Sequence, residues 1–213
     1  LKSEPIELII FDSDGTLVDS EGLTDEAIVA CAAEFGAQLS LAEMERFKGG
    51  NMNDCIAHIE SVRGTPLPRT AFQALLREYA FTLYQQRLQP IAGAPALLQA
   101  LKTPFCLASN GPREKIEHCL KITSLFHHFE QDIFSAYEVG AWKPAPDLFL
   151  HAAQQKGVAP SRCVVVEDSI PGVQAGIAAG MRVFALQAGH TKANFPPEVT
   201  VISALSELHQ HLM

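Results

Sequence analysis

Asp12 and Asp14 stand two residues apart in the stretch DSDGT (12–16), directly after the apolar run Leu8, Ile9, Ile10 and Phe11. Such a run reads as a strand buried on both faces, and carboxylates at its end are costly to bury without a partner. Either they are turn formers at the solvent end of the strand, as Asp-Gly pairs often are, or they hold a cation and do chemistry there. Three further stretches offer groups that fit the second reading: SNGP (109–112), WKPAP (142–146) and EDS (167–169). Taken singly, each has a plain structural meaning. Pro112 suits the first turn of a helix, Lys143 suits a surface, and Glu167-Asp168 suits a solvated strand end. Together they supply two acid pairs, a hydroxyl beside an amide, and one cation. The acids suit Mg²⁺, a hard ion that prefers oxygen ligands. The Ser109 hydroxyl, the backbone N–H groups after it and Lys143 suit the non-bridging oxygens of a phosphoryl group. A carboxylate so placed can attack phosphorus and give an aspartyl-phosphate that water later cleaves.

The elements that must position these groups show in the hydrophobic pattern. Short apolar runs at 6–11, 105–108, 163–166 and 182–186 alternate with segments of helical spacing at 94–102, 113–121 and 147–157. Strands alternating with helices predict an α/β fold with a doubly wound, Rossmann-like parallel sheet. The four chemical stretches then fall just past strand ends, on one edge. The segment SIPGVQAGIAAGM (169–181) predicts a helix capped by Ser169, with Gly172, Gly176 and Gly180 leaving one stripe bare for close approach to the sheet. Residues 20–87 show helical periodicity only, with a capping box at Ser40 and Glu43 and a break at RGTPLP (63–68). They predict a four-helix insert after the first strand, roofing the carboxyl ends where α/β sheets bind ligands. The expected division is an α/β core of residues 1–18 and 88–213 with a helical cap of residues 19–87. NFPPEV (194–199) reads as a loop.

Composition narrows the class. At 213 residues and 47% hydrophobic content, the chain can bury a sizeable core. No apolar run approaches the roughly 20 residues of a membrane span, and the opening residues do not read as a secretory signal. Five scattered cysteines, none in a CxxC pair, argue for reduced thiols. A cytoplasmic monomer without membrane attachment is expected. A formal net charge of −8 disfavours nucleic acid as a partner. A small anionic substrate would need a local pocket of positive charge.

The order DxDGT, Ser-Asn, Lys-Pro, Glu-Asp resembles that of the haloacid dehalogenase superfamily, from Ile6 to about Leu186. The helical insert resembles the cap of the β-phosphoglucomutase-like subgroup. EFG (34–36), RFKG (46–49), SNGP, WKPAPDLFLHAA and EDSIPGVQAGIAAGM are similar to bacterial sugar phosphatases of the phosphogluconate phosphatase type. The resemblance implies a Mg²⁺-dependent phosphatase acting on a small phosphorylated sugar or sugar acid, with 6-phosphogluconate a candidate. It implies Asp12 as nucleophile and metal ligand, and Asp14 as general acid/base whose backbone carbonyl also binds metal. Ser109 and Lys143 would hold the phosphoryl group with help from Asn110. Asp168 would bind Mg²⁺ and Glu167 would bind or orient it. Apart from the resemblance, Arg46 and Lys48 lie near the cap entry, where either they are a solvated helix end or one of them meets a distal polar or charged group of the substrate. The chain departs from the family at Ser13, where a larger apolar residue or cysteine is commoner.

Other readings compete. A sugar phosphomutase of this subgroup would carry a cap histidine and arginine, where this chain has Thr24 and Met52. A phosphate-responsive receiver-like module also combines paired acids, a hydroxyl and a lysine, but is shorter and lacks a cap. A non-catalytic phosphate-binding protein on the same fold is the third.

Overall fold

The structure, a computed structural model, describes residues 4–187 and 194–211. β1 (Leu8–Phe11) is buried at every position, as a short apolar run must be when helices cover both faces of a parallel sheet. It pairs in parallel with β2 (Phe105–Ser109) on one side and β4 (Cys163–Glu167) on the other. β3 (Ile133–Ser135) extends the sheet past β2, and β5 (Arg182–Leu186) and β6 (Thr200–Ile202) extend it past β4. The order is β3-β2-β1-β4-β5-β6 with every pair parallel. This is the predicted doubly wound α/β sheet. Its strand order diverges at β1, so the switch point lies at the carboxyl end of that strand, beside those of β2 and β4. β3 and β6 were not expected, because three residues are too few to display a strand period.

Alternate residues of β1 feed two cores. Ile9 and Phe11 join a cluster that runs through Leu107 and Val166 and on into the insert through Leu23, Ile28, Phe72 and Tyr84. Leu8 and Ile10 join a second cluster, closed by α8 (Asp147–Gln155) and α9 (Ile170–Ala178). The helices of the first side are α5 (Ala94–Ala100) and α6 (Arg113–Ile122). The five cysteines are all buried and free. Among the described residues, no helix is long and apolar enough to cross a membrane. Residues 194–199 contain no helix or strand, in line with the loop expected there.

Between β1 and α5 lie four helices, α1 (Glu21–Glu34), α2 (Leu41–Met44), α3 (Met52–Arg63) and α4 (Arg69–Arg87). The Ser40–Glu43 capping box forms at the start of α2. The 63–68 break separates α3 from α4, with Gly64 left-handed and the Leu67 N–H donating to Glu60 at 3.0 Å. Both connections of this insert pass side by side, since the Asp19 N–H donates to the Gln89 carbonyl and the Ile91 N–H to that of Leu17, each at 2.9 Å.

α9 begins as predicted, with the Ser169 hydroxyl accepting from the Gly172 N–H at 3.1 Å. A Cβ at Gly172 would overlap the Glu167 carboxylate, and one at Gly176 would crowd Val183 and Val165. Gly180 departs from the expected stripe. It faces open space with φ +70°, so it terminates the helix and packs against nothing.

Candidate active site

The β1 carboxyl end turns sharply after Phe11, and the turn places Asp12 at the sheet edge while Thr16 and Leu17 return to the core. The Asp12 N–H donates to the Val166 carbonyl at 3.0 Å, fixing the nearly buried carboxylate beside the end of β4. Gly15 adopts φ +81°, and a Cβ there would overlap the Asp168 carboxylate. The loop can therefore wrap closely around Asp168, whose Oδ1 accepts from the Thr16 hydroxyl at 2.7 Å. The opening acids are not solvated turn formers, since Asp12 pairs with Lys143 and Asp14 with Lys115.

Lys143 reaches this point from the far side of the sheet. The expectation that WKPAP directly follows a strand needs correction. β3 is succeeded by the single turn α7 (Ala136–Val139), and residues 142–146 come only after it. That detour carries Lys143 inward until its side chain is 1% exposed. Its Nζ donates to Asp12 Oδ1 at 2.5 Å and to Glu167 Oε1 at 2.8 Å. Glu167 Oε2 accepts from the Ser169 N–H at 2.7 Å and from its hydroxyl at 2.8 Å. Both Glu167 oxygens are thus engaged by protein groups.

Ser109 ends β2, and its Oγ accepts from the Gly111 N–H at 3.0 Å. The Asn110 amide is engaged on both sides. It accepts from the Lys143 N–H at 2.9 Å and donates to the carbonyls of Gly49 at 3.1 Å and Lys143 at 3.3 Å. It therefore ties the Lys143 loop to the insert. A Cβ at Gly49 would overlap the Ser169 side chain, so the insert also touches the start of α9. The insert lies directly on the sheet edge.

Asp14 points into the space above. Its Oδ1 accepts from the Ser20 hydroxyl and pairs with Lys115 Nζ at 2.9 Å. Lys115 was missed in the sequence, and so were Thr16, Ser20 and Glu21. A signal for Lys115 exists: a cation in the first turn of α6 opposes the helix dipole, so something nearby must favour it. Lys115 also lies 6.0 Å from the Tyr84 ring centroid, and the Tyr84 hydroxyl bonds Thr24 Oγ1 at 2.6 Å.

The enclosed space is a cavity of about 380 Å³, within the range of small-molecule sites. Asp12, Asp14, Ser109 and Asn110 from the sheet edge line it, as do Gln73, Arg77 and Phe81 of α4. Lys48 also lines it, held by Glu45 at 2.9 Å and Glu21 at 3.9 Å. Arg46 instead lines an adjacent hollow of about 360 Å³ beside Trp142, with its guanidinium 4.8 Å over the Phe47 ring.

The site is short of positive charge. Burial pushes Asp12 well above the ordinary carboxylate range, Lys143 opposes the rise, and Glu167 and Asp14 add to it. Asp168 is pushed up by burial and then by Glu21, Glu167 and Asp12, with only the Thr16 hydroxyl acting the other way. Burial takes Glu21 to about 7, against the pull of Lys48. Burial also acts to raise Asp14, but Lys115 and the Ser20 hydroxyl outweigh it and bring it below its usual value. Burial disfavours the Lys143 ammonium, yet Asp12 and Glu167 more than offset this and raise its pKa. Among the described residues, no three acidic, histidine or cysteine side chains converge into a closed metal cage.

A family model of haloacid dehalogenase-like hydrolases matches residues 6–180. The chain belongs to this family. It is a phosphoric monoester hydrolase. It is 40% identical over 205 residues to the 6-phosphogluconate phosphatase of Escherichia coli K12, covering 95% of this chain and 93% of that one. Among solved structures, a haloacid dehalogenase family hydrolase from Deinococcus radiodurans, crystallised with bound phosphate and sodium, is 31% identical with a TM-score of 0.75. That match covers 98% of this chain and 95% of that one. CbbY from Rhodobacter sphaeroides, in complex with phosphate, has a TM-score of 0.85 over 95% of this chain and 96% of that one; at 24% identity it speaks for the fold.

Proposed function

We propose that this hydrolase cleaves a small phosphorylated sugar or sugar acid, 6-phosphogluconate foremost, with Asp12 as nucleophile and Mg²⁺ as cofactor. The observation that carries this reading is the buried Asp12–Lys143–Glu167 chain of contacts under a cavity that Ser109 and Asp14 also line. The 40% identity to 6-phosphogluconate phosphatase over almost the whole chain supports the substrate class.

Lys143 opposes the burial that disfavours ionised Asp12 and aims its carboxylate, and Glu167 with Ser169 keeps Lys143 in place. Ser109, the N–H groups at the start of α6 and Lys143 receive the phosphoryl oxygens. An Asp12 oxygen attacks phosphorus while the bond to the sugar oxygen breaks, and Asp14 gives that oxygen a proton. In the free site Lys115 holds Asp14 ionised; the incoming phosphoryl charge raises its proton affinity, and Asp14 takes up a proton from solvent before the leaving oxygen needs it. Asp14 then takes a proton from water as that water attacks the aspartyl-phosphate. The phosphorus–Asp12 bond breaks, and inorganic phosphate leaves.

The acids fit a divalent ion. Asp12 and Asp168 are hard oxygen donors in a region of unbalanced negative charge, and Mg²⁺ takes one or two carboxylates while keeping several waters. The Asp12 and Asp168 carboxylates and the Asp14 backbone carbonyl would hold it, with Glu167 orienting the set through Lys143. When bound, it supplies the positive charge that offsets Asp12 and the phosphoryl oxygens together. Residues 19–87 act as a cap that excludes water from the cavity, with Lys48 facing substrate hydroxyls.

Phosphate release from a panel of sugar phosphates tests the reading. Turnover should need Mg²⁺, vanish with a chelator, return on adding the ion back, and be absent in Asp12→Asn. Chelator-resistant turnover would refute the cofactor, and activity in Asp12→Asn would refute the nucleophile.

A further inference from the structure

At about 380 Å³ the cavity is larger than a phosphoryl group needs, so more of the substrate must meet its walls. One wall is built by a stripe of α4, where Gln73, Arg77, Ala80 and Tyr84 recur at helical spacing, with Tyr84 beside Lys115 and Arg77 two turns away from it. Of the cations that line the space, Lys115 is committed to Asp14. Lys48 sits among Glu45, Glu21 and Asp25, so its surroundings repel an anion. Arg77 differs from both. Its only ion-pair partner among the described residues is Glu114, at 3.4 Å, with both side chains more than half exposed. Such a pair is weak and exchanges readily for a better one.

We propose that Arg77 is the specificity-determining residue of the site, and that it recognises a carboxylate at the far end of an acyclic sugar-acid phosphate. This rests on the phosphatase reading and adds the group that selects the substrate. The dimensions agree. Tyr84 stands beside Lys115 and therefore near Asp14, where the ester oxygen of the substrate must lie. Seven residues of helix separate Tyr84 from Arg77, about 10 Å along the axis. A six-carbon chain spans roughly 6 Å between its end carbons at bond lengths of about 1.5 Å. A guanidinium–carboxylate contact adds about 3 Å. A shorter acid phosphate would leave its carboxylate in mid-cavity. A planar guanidinium is the donor suited to a carboxylate gripped by two oxygens, which a lysine cannot match. Glu114 occupies Arg77 until the substrate carboxylate replaces it.

The test compares 6-phosphogluconate with glucitol 6-phosphate, which has the same carbon chain but ends in a hydroxymethyl group. Wild-type enzyme should favour the acid. Arg77→Gln should lower kcat/KM for the acid by about 10- to 100-fold, mainly through KM, and change that for the polyol less than about threefold. Arg77→Lys should recover only part of the loss. Glu114→Gln should leave the polyol unchanged and improve KM for the acid, which a merely structural Arg77 would not produce. Equal effects of Arg77→Gln on both substrates, or none on either, would overturn the assignment of Arg77 and leave the phosphatase reading standing. Wild-type turnover of the polyol but not the acid would do the same. Hydrolysis of neither compound, nor of any sugar phosphate, would overturn both.

Discussion

Lys143→Met separates the electrostatic reading of the site from a mere packing role for the lysine. Lys143 is 1% exposed and serves two carboxylates, Glu167 at 1% and Asp12 at 10% side-chain exposure. Removing one partner from a buried pair costs about 3–5 kcal/mol, because the charge left behind has lost both water and counter-ion. Methionine fills much of the lysine stem's volume, so the loss is chiefly electrostatic. Its pH dependence follows from sign. Burial already holds Asp12 above its unfolded value, and without Lys143 it rises further. A carboxyl whose folded pKa is raised contributes stability below its unfolded pKa and loses it as pH rises through the folded one. The deficit of Lys143→Met should therefore be smallest at acid pH, where Asp12 is protonated in both proteins, and grow as pH rises. Asp12→Asn should behave oppositely. It leaves Lys143 paired with Glu167 at 2.8 Å and removes one strained acid, so it should be neutral or stabilising while turnover is lost. Urea denaturation of chelator-treated protein at pH 5, 6.5 and 8 reads both effects. A Lys143→Met protein within 1 kcal/mol of wild type at pH 8, or one whose deficit ignores pH, would refute the argument.

Asp14→Asn should lower kcat by about 100-fold or more, the scale of general acid–base help, as read by steady-state phosphate release. An effect of only a few-fold at every pH would count against its role. Glu21, raised from 4.5 to about 7, should make chelator-treated protein lose stability as pH climbs from 4.5 to 7. The whole rise corresponds to at most about 3 kcal/mol. Its side chain is 21% exposed, which trims the effect. Glu21→Gln should flatten that slope in thermal melts and be the more stable protein at pH 8; an unchanged slope would place the titrating group elsewhere.

Much of this arrangement is legible in the chain because it depends on local signals. The run Leu8–Phe11 needs two covered faces, and CVVV at 163–166 needs the same, so a parallel sheet follows from them. Ser40 with Glu43, and Ser169 before Pro171, announce helix starts with groups that satisfy free N–H donors. Asp12, Asp14, Ser109, Lys143, Glu167 and Asp168 stood out because polar residues at the ends of apolar strands require an explanation. What stayed hidden depends on contacts between distant segments. Lys115 shows only as a cation set against a helix dipole, and Arg77 as any solvated residue of an amphipathic helix, until α4 and α6 face the same cavity. Asn110 reads as a phosphate ligand, yet its amide joins Gly49 to Lys143, segments 94 residues apart in sequence. Gly180 belonged by spacing to the packing stripe, and only its left-handed backbone shows that it ends the helix.

The charge balance of the edge also explains why the insert must meet the sheet so closely. β1 and β4 deliver Asp12, Glu167 and Asp168 to one edge, and α1 brings Glu21 over them. Lys143 and Lys115 answer two of these demands, those of Asp12 with Glu167 and of Asp14. Among the described residues Asp168 has only a hydroxyl donor, and a phosphoryl group would add further negative charge. Excluding water strengthens every attraction in such a site, but it strengthens each repulsion as well. On the proposed reading, therefore, closure favours the reaction only when a divalent cation is already present. A closed, metal-free enzyme should bind phosphate more weakly than an open one, and added Mg²⁺ should reverse that order.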